Sequence, residues 1–458
     1  AGLVQLSTDP YTHTTSQHQT EVEPDTYSFG STIVSVFQVG RFSNGGASNI
    51  GWATSTNNGS SWTSGFLPGT TVYATPAGPY ARVSDPTVAY DAAHSTWIAA
   101  SLAINSSDVG VAVIVNLSTN GGLTWGNPVV VHAASGNEFL DKDWIVCDDT
   151  STSPFYGHCY AEWDDNGNGN LIHMSTSTNG GDTWGAQQTT ANNATGIGGQ
   201  PLVRPNGTVV VPIDNANETA LLSFTSTNGG ASWGSTVTAA SIRFHTDPGG
   251  IRSGPLPTAE IDGSGKVYVV WEDCRFESSC KTNDLVMTTS SNGTTWSAVA
   301  RIPADPVGST VDHFIPGLAV DKSTSGSTAH LVVAFYYYPN VSCSSSTCKL
   351  DVGYSSSTNG GSTWSARSQL AGPMTLSWLA STTLGRMVGD YISASFAAGV
   401  AFPVFMVATA PSGSTFHEAA FTVTPGLTSR SGSNTSTGDR VLTTSSSPVP
   451  AATALTAH

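Results

Sequence analysis

The sequence predicts an all-β fold, a single β-propeller of seven four-stranded blades, and three observations carry this prediction. A turn motif that ends in Trp occurs in six copies, and successive Trp residues are 63, 59, 49, 63 and 68 positions apart. A strand pattern precedes each copy, and one further unit follows the last copy. A repeat of about 60 residues fits one four-stranded blade better than a helical repeat.

The motif itself is built for a tight hairpin turn. One copy, Ser-Thr-Asn-Gly-Gly-Leu-Thr-Trp, occupies residues 118–125, and the others occupy residues 55–62, 177–184, 226–233, 290–296 and 357–364. The Asn in the third position hydrogen-bonds its own backbone, and Gly supplies the positive φ that the turn needs. The Trp packs on apolar neighbours and holds the hairpin to its sheet. The motif therefore predicts structure and says nothing of catalysis.

Each blade begins upstream of its motif with a short inner strand that reaches a turn about six residues later. Asp85-Pro86 leads to Asp91 in this way, and Pro is tolerated at the start of an edge strand. A seventh unit without the motif follows, with strands predicted at residues 390–396, 400–408 and 416–423. We therefore expect one propeller domain over residues 1–424 and a Ser/Thr/Pro-rich tail over residues 425–458.

The motif resembles the Asp-box, or bacterial neuraminidase repeat, of sialidase-like β-propellers, and the resemblance covers about residues 20–425. That family usually has Asp where this chain has Asn57, Asn120, Asn179, Asn228, Asn292 and Asn359. Asn keeps the turn-forming carbonyl, so the same fold is expected. The resemblance implies that the active site lies on the face opposite the motifs. That face carries the connections between blades and the loops between the second and third strands of each blade.

Composition limits the partners and the compartment. The formal net charge is −16 and the pI about 4.8, which argues against nucleic acid or a membrane as a partner. The chain begins at Ala1, as a processed secretory protein would, and nine glycosylation sequons occur. The six cysteines fall in close pairs that favour three local disulfides: Cys147 with Cys159, Cys274 with Cys280, and Cys343 with Cys348. We expect a secreted, monomeric protein, and because the two-residue spacing of metal-binding cysteines is absent, we expect no zinc site and assign no metal-binding residues.

Positive charge gathers on the predicted functional face. Six of the eleven Arg residues map there, and Arg forms bidentate contacts with carboxylates. We predict an acidic-sugar site in which the substrate-binding residues are Arg41, Arg82, Arg252, Arg275, Arg386 and His245. Salt bridges between blades are an equally good explanation for any single Arg.

Four carboxylates, Glu23, Asp85, Asp143 and Asp390, open inner strands and should crowd the rim of the central pore. Like charges so placed require counter-cations, raised pKa values or a metal ion. No cofactor is required, although a calcium ion is compatible with the rim. The run that starts at Asp164 resembles a calcium loop, but Ser175 stands where the loop needs Glu, so we interpret the run as a turn.

Two enzyme chemistries and one binding function fit these features. The seven units resemble the rhamnose-glucuronate lyases, which implies an exo-acting secreted polysaccharide lyase on uronate-containing plant glycans. The catalytic candidates for β-elimination are His313, Tyr391 and Asp390. The alternative is a sialidase-like glycoside hydrolase, although sialidases have six blades and an Arg-Ile-Pro motif before the first box, whereas Arg301-Ile302-Pro303 follows the fifth. A non-catalytic glycan-binding propeller is the second alternative.

Overall fold

A computed structural model describes residues 2–432 and confirms the predicted all-β propeller. Seven four-stranded antiparallel sheets follow one another around a central pore, and the inner strand of each sheet packs against the inner strand of the next. Blades 1 and 2 are joined into one sheet by the single pair Ala47–Val83. No α-helix occurs in residues 2–432, and none of those residues forms a helix able to cross a membrane.

Blades 1 to 3 consist of the strands β2 (Glu21–Phe29), β3 (Thr32–Arg41), β4 (Ala47–Ser55), β5 (Thr63–Phe66), β6 (Arg82–Asp91), β7 (Thr96–Ile104), β8 (Gly110–Ser118), β9 (Val129–Ala133), β10 (Leu140–Cys147), β11 (Cys159–Asp165), β12 (Leu171–Ser177) and β13 (Gln188–Thr189). Blades 4 to 6 consist of β14 (Leu202–Val203), β15 (Val209–Asp214), β16 (Ala220–Ser226), β17 (Val237–Ser241), β18 (Thr258–Ile261), β19 (Val267–Asp273), β20 (Asp284–Ser290), β21 (Ala300–Ile302), β22 (Asp312–Val320), β23 (Leu331–Tyr338), β24 (Lys349–Ser357) and β25 (Ser368–Thr375). Short 3-10 helices occupy Asn166–Asn168, Pro248–Gly250, Ser278–Cys280, Gly326–Thr328 and Leu376–Trp378.

Blade 7 is completed by the other end of the chain. Its inner three strands are β28 (Ser393–Ala397), β29 (Val400–Ala408) and β30 (Glu418–Thr424), and its outer strand is β1 (Gly2–Gln5). Leu3 and the adjoining Leu6 are buried in the core of this blade. The ring is thus closed by an antiparallel pairing of the first strand with the last, which the sequence pattern did not predict.

A small hairpin projects from the connection between blades 6 and 7. It is formed by β26 (Ala380–Thr382) and β27 (Gly385–Met387). Arg386 forms a parallel bridge with Ile251, and the Arg252 amide donates to the Arg386 carbonyl at 2.6 Å. The hairpin therefore meets the connection between blades 4 and 5 on the face opposite the turn motifs.

Bulges shape the start of four inner strands, those of blades 1, 2, 3 and 6. At these bulges, Glu23, Asp85, Lys142 and Ile315 have φ between 47° and 55°. In three of the four cases Pro follows, so the Pro noted in the sequence marks a bulge. A bulge re-aims side chains, and here it places two carboxylates and the Lys142 ammonium at the pore mouth.

The turn motifs hold their hairpins as expected and also join neighbouring blades. Asn120 Oδ1 accepts the Thr124 amide at 3.0 Å, and the other full-length copies repeat the bond. A Cβ added to Gly122 would lie 2.7 Å from Val34 of blade 1. Thr54 of blade 1 donates to the Gly122 carbonyl at 2.7 Å. The second Gly is therefore needed for close approach of adjacent blades.

The three predicted disulfides are present, between Cys147 and Cys159, Cys274 and Cys280, and Cys343 and Cys348. The first part of the predicted tail still contacts the propeller, because Leu427 pairs with Ala401. The rest of the predicted tail, residues 433–458, lies outside the described residues.

Candidate functional site

The pore mouth contains an ion cluster centred on Asp390. The Arg252 guanidinium binds this carboxylate with two bonds, and Nε lies 2.6 Å from Oδ1. Lys142 Nζ also contacts Asp390 and lies 3.4 Å from Asp85 Oδ1 and 3.9 Å from Glu23 Oε1. Counter-cations for the rim carboxylates thus come from blade 3 and from the connection between blades 4 and 5.

The electrostatics of this cluster shift the pKa values of two neighbouring carboxyl groups, Asp390 and Glu23, in opposite directions. Burial alone would raise the pKa of Asp390, but the charges of Arg252 and Lys142 and their hydrogen bonds hold that pKa well below its usual value. Burial, reinforced by the charge of Asp85, raises the pKa of Glu23 to about 8. Asp390 is therefore ionised at neutral pH, whereas Glu23 keeps its proton.

Glu218 is an acid beside this cluster that the sequence did not indicate. It lies in the loop between β15 and β16, is half-buried and has a φ of 54°. Its pKa is raised by burial and then by the negative charge of Asp390. A Cβ on Gly254 would lie 3.4 Å from Glu218 Oε1, so the connection between blades 4 and 5 passes close to the carboxyl. Only the tertiary structure brings this loop to Asp390.

Further buried acids line the same face. None of the carboxyl oxygens of Asp143, Glu162 and Asp214 has a hydrogen-bond partner in the part of the chain that the structure describes. Burial raises the pKa of each group well above its usual value. The raised pKa favours the protonated form of each group, and a protonated carboxyl can donate to a ligand hydroxyl. Asp143 is one of the four predicted rim carboxylates, and a raised pKa is one of the three outcomes expected for them.

A second acidic group lies at the start of blade 6. The His245 ring is 3.5 Å from Asp312 Oδ2, and Asn283 Nδ2 donates to Asp247 Oδ1 at 3.3 Å. Burial and the charge of Asp312 raise the pKa of Asp247 well above its usual value. His245, a predicted substrate-binding residue, therefore faces a carboxylate of its own chain.

His313 and Tyr391 are both buried, and each has hydrogen-bond partners within the protein. His313 is 1% exposed, with Nδ1 2.9 Å from the Asn283 carbonyl and Nε2 2.9 Å from Asp305 Oδ2. The Tyr391 hydroxyl donates to the Pro86 carbonyl at 3.1 Å. Burial first, and then the charge of nearby acids, raises the pKa of Tyr391 well above its usual value. Of the three predicted catalytic residues, Asp390 belongs to the pore-mouth cluster, Tyr391 borders its acids Glu23 and Asp85, and His313 is held within blade 6.

Most of the predicted substrate-binding Arg residues have partners within the protein. Arg82 pairs with Asp108 at 3.1 Å, and Arg275 pairs with Asp273 at 2.6 Å. Arg41 is buried, and its Nη1 donates to the Gly46 carbonyl at 2.6 Å. The predicted alternative of salt bridges between blades thus describes Arg252, which pairs with Asp390, whereas Arg82 and Arg275 pair with acids of their own blades.

The hairpin brings a further Arg to this part of the face. Arg386 is half-buried, and its Nη1 donates to the Leu379 carbonyl at 2.7 Å. The Arg41 Nε contacts Met387 Sδ at 3.3 Å, so the hairpin covers Arg41. Arg386 thus joins Arg252 through the backbone bridge already described.

A cavity of about 370 Å³ lies at the edge of blade 7, away from this cluster. Asp9, Gln19 and His417 line it. The Asp9 carboxylate accepts the amides of Tyr11 and Thr20, so it holds the N-terminal segment in place. We take the pore mouth as the candidate site because charged groups from several blades converge there.

No family model matches the chain, and no curated protein matches it. Solved structures similar to it include a leech intramolecular trans-sialidase, at 12% identity and a TM-score of 0.49, covering 74% of this chain and 68% of that one. A protein of unknown function from Dyadobacter fermentans has 13% identity and a TM-score of 0.48, and the match covers 78% of this chain and 98% of that one. An α-L-arabinofuranosidase from Fusarium graminearum has 12% identity and a TM-score of 0.46, and the match covers 77% of this chain and 97% of that one. Likeness at this level carries no argument about substrate or reaction, and the fold assignment rests on the sheets described above.

Proposed function

We propose that this chain is a secreted glycoside hydrolase whose active site is the pore mouth. The observation that carries the proposal is a pair of interacting carboxyl groups whose pKa values are shifted in opposite directions. Asp390 is held ionised by Arg252 and Lys142, and Glu218 has a raised pKa beside it. Two carboxyl groups divided in this way are the acid and base pair that glycoside hydrolysis requires.

The two residues have distinct roles in this proposal. Glu218 is the accessible acid, and it protonates the leaving oxygen of the glycosidic bond. Asp390 is the carboxylate that assists at the anomeric carbon, either as nucleophile or as the base for water. The anomeric configuration of the first product distinguishes these two routes.

Hydrolysis replaces the lyase hypothesis as the favoured chemistry. β-Elimination needs a base that reaches the proton beside the uronate carboxylate. Both ring nitrogens of His313 are engaged inside blade 6, and the Tyr391 hydroxyl is bound to a backbone carbonyl. Both groups are already engaged, so the elimination lacks the free proton carriers that it was assigned.

Action on chain ends fits the surroundings of the site. The β26–β27 hairpin and the connection between blades 4 and 5 are bridged at Arg386 and Ile251, next to Arg252. This bridge closes one side of the mouth, which favours a pocket for a terminal sugar over an open groove. The three disulfides agree with an oxidising, extracellular setting.

The experiment is a product analysis on sialylated, uronate-capped and neutral glycans, followed by variants. We expect release of a terminal sugar with addition of one water, detected by mass. Glu218→Gln and Asp390→Asn should each reduce kcat by about 100-fold or more. Turnover of the wild-type protein should fall as pH rises through the raised pKa of Glu218, and Glu218→Gln should remove this limb.

Glu277→Gln is the matched control. Glu277 is also a half-buried Glu with a raised pKa, but its carboxylate accepts the Gly308 amide at 2.9 Å. Its replacement should leave kcat unchanged. Unsaturated uronate products, binding of glycans without turnover, or full activity in Glu218→Gln would each refute the proposal.

A further inference from the structure

A cluster of side chains away from the pore mouth connects blades 2 and 3. Glu138 lies in the connection between β9 and β10, Asp165 ends β11, and His173 lies in β12. One carboxylate oxygen of each acid and one ring nitrogen of His173 lie within 4.8 Å of one another. His173 Nε2 is 4.0 Å from Asp165 Oδ2. Three donor atoms from three segments therefore converge on one point.

The His173 ring is buried without a hydrogen bond. The residue is 5% exposed, and neither Nδ1 nor Nε2 has a hydrogen-bond partner among residues 2–432. An unsatisfied buried polar group costs about 1–3 kcal/mol, and native proteins keep few of them. A ring nitrogen that faces two carboxylates and bonds to nothing indicates a ligand that the protein's own atoms do not supply.

The two carboxylates are oriented by other groups. The Gln187 amide donates to Glu138 Oε1 at 2.6 Å, and the Ser135 amide donates to Oε2 at 2.7 Å. The Phe139 amide donates to Asp165 Oδ1 at 2.9 Å. Metal-binding carboxylates are characteristically held by such outer contacts. Glu138 Oε2 is filled by further contacts from His132 and the Ser135 hydroxyl, whereas Asp165 Oδ2 accepts one donor, the Asn168 side-chain amide. Glu138 Oε1 and Asp165 Oδ2 therefore each retain a lone pair that can face a bound ion.

The aromatic residues beside the cluster hold the imidazole ring in place. Trp163 stacks on His173 with ring centroids 5.9 Å apart, and it stacks on His132 at 5.4 Å. His132 Nε2 is 3.1 Å from Glu138 Oε2. The histidine donor is thus fixed by packing, and the glutamate by hydrogen bonds.

We propose that Glu138, Asp165 and His173 bind one divalent transition-metal ion, with zinc as the expected ion. An imidazole donor suits zinc, whereas calcium and magnesium take oxygen ligands. Bonds of about 2.0–2.2 Å place tetrahedral donors roughly 3.4 Å apart, so the His173 and Asp165 donors approach by about half an ångström on binding. The fourth position is open to water, and the ion ties blade 2 to blade 3.

The test uses the full chain, stripped with a chelator and titrated with zinc alone. We expect one Zn²⁺ per chain by calorimetry and elemental analysis, a visible absorption band with Co²⁺, and a higher Tm with metal. His173→Asn should weaken binding more than about 100-fold, beyond the 10–100-fold caused by loss of an outer contact. Glu138→Gln should do the same, and because Glu138 is half-buried this variant keeps the metal-free fold.

His94→Ala is the matched control, because His94 also lies beside a carboxylate, at 2.7 Å from Asp91. It should bind zinc as the wild type does. Absence of stoichiometric zinc binding in the wild type would overturn the proposal. So would equal affinity in Glu138→Gln, or loss of the same site in His94→Ala.

Discussion

Replacing Arg252 tests the electrostatic core of the pore mouth. The Arg252 side chain is 22% exposed, and the Asp390 side chain that it binds is 10% exposed. Arg252→Met keeps the bulk of the side chain and removes the charge. Stranding one partner of a buried ion pair costs about 3–5 kcal/mol. Because Lys142 still contacts Asp390, we expect Arg252→Met to lower the free energy of unfolding by about 3 kcal/mol, at the lower end of this range.

The assay is urea unfolding followed by Trp fluorescence, in a double-mutant cycle with Asp390→Asn. The double variant removes both charges, and Lys142 keeps Asp85 and Glu23 as neighbours. The double variant should lose less free energy of unfolding than the two single variants lose together. The expected coupling energy is about 2 kcal/mol, which is within the range for contacting residues. A coupling below about 0.5 kcal/mol would refute the reasoning.

The pH dependence provides an independent check on the same pair. The pKa of Asp390 is lower in the folded state than in the unfolded state. Its contribution to stability is therefore present above the unfolded pKa of about 3.9 and is lost as pH falls toward the folded pKa. The gap in stability between the wild type and Arg252→Met should narrow below about pH 4. A stability difference that stays constant with pH would show that Arg252→Met acts through lost packing and not through lost charge.

Two further predictions concern stability. Leu6 is 0% exposed and follows the strand that closes blade 7, so Leu6→Ala should cost about 2–5 kcal/mol; a loss below about 1 kcal/mol in urea unfolding would mean that the closure contributes little. Glu21 is fully buried, and burial raises its pKa to about 8, so its contribution to stability is present below the unfolded pKa of about 4.3 and is lost as pH rises toward 8. The Tm should therefore fall from pH 5 to pH 8, and less steeply in Glu21→Gln; identical slopes in the two proteins would contradict this.

Much of the fold was predictable because its signals are local. The Asn-Gly-Gly turn is a matter of backbone conformation within a few residues, as the bond from Thr124 to Asn120 shows. The three disulfides were predictable for the same reason, since each closes a loop of 5 to 12 residues. The pairing of β1 with β30 was not predictable, because it joins residues at opposite ends of the chain and neither strand carries a repeat motif.

The candidate site was predictable only in part. Asp390 and its acidic neighbours were found because they open inner strands, a position that the repeats define. Glu218 was missed because it lies in a loop between β15 and β16 that carries no motif. His313 was predicted as a catalytic residue, but its ring nitrogens contact Asn283 and Asp305 within the blade wall. The direction of a side chain near a strand start depends on bulges and on neighbouring blades.

The sequence by itself determined the all-β class, the number of blades, the turns and the disulfides, because these depend on contacts within one repeat. Only the tertiary structure decided which charges meet. Lys142 from blade 3, Arg252 from the connection between blades 4 and 5, and Asp390 from blade 7 converge because the ring closes around the pore. The charges of Arg252 and Lys142 then lower the pKa of Asp390, whereas burial and the charge of Asp390 raise the pKa of Glu218. Protonation states depend on through-space distance and burial, which spacing along a chain does not specify.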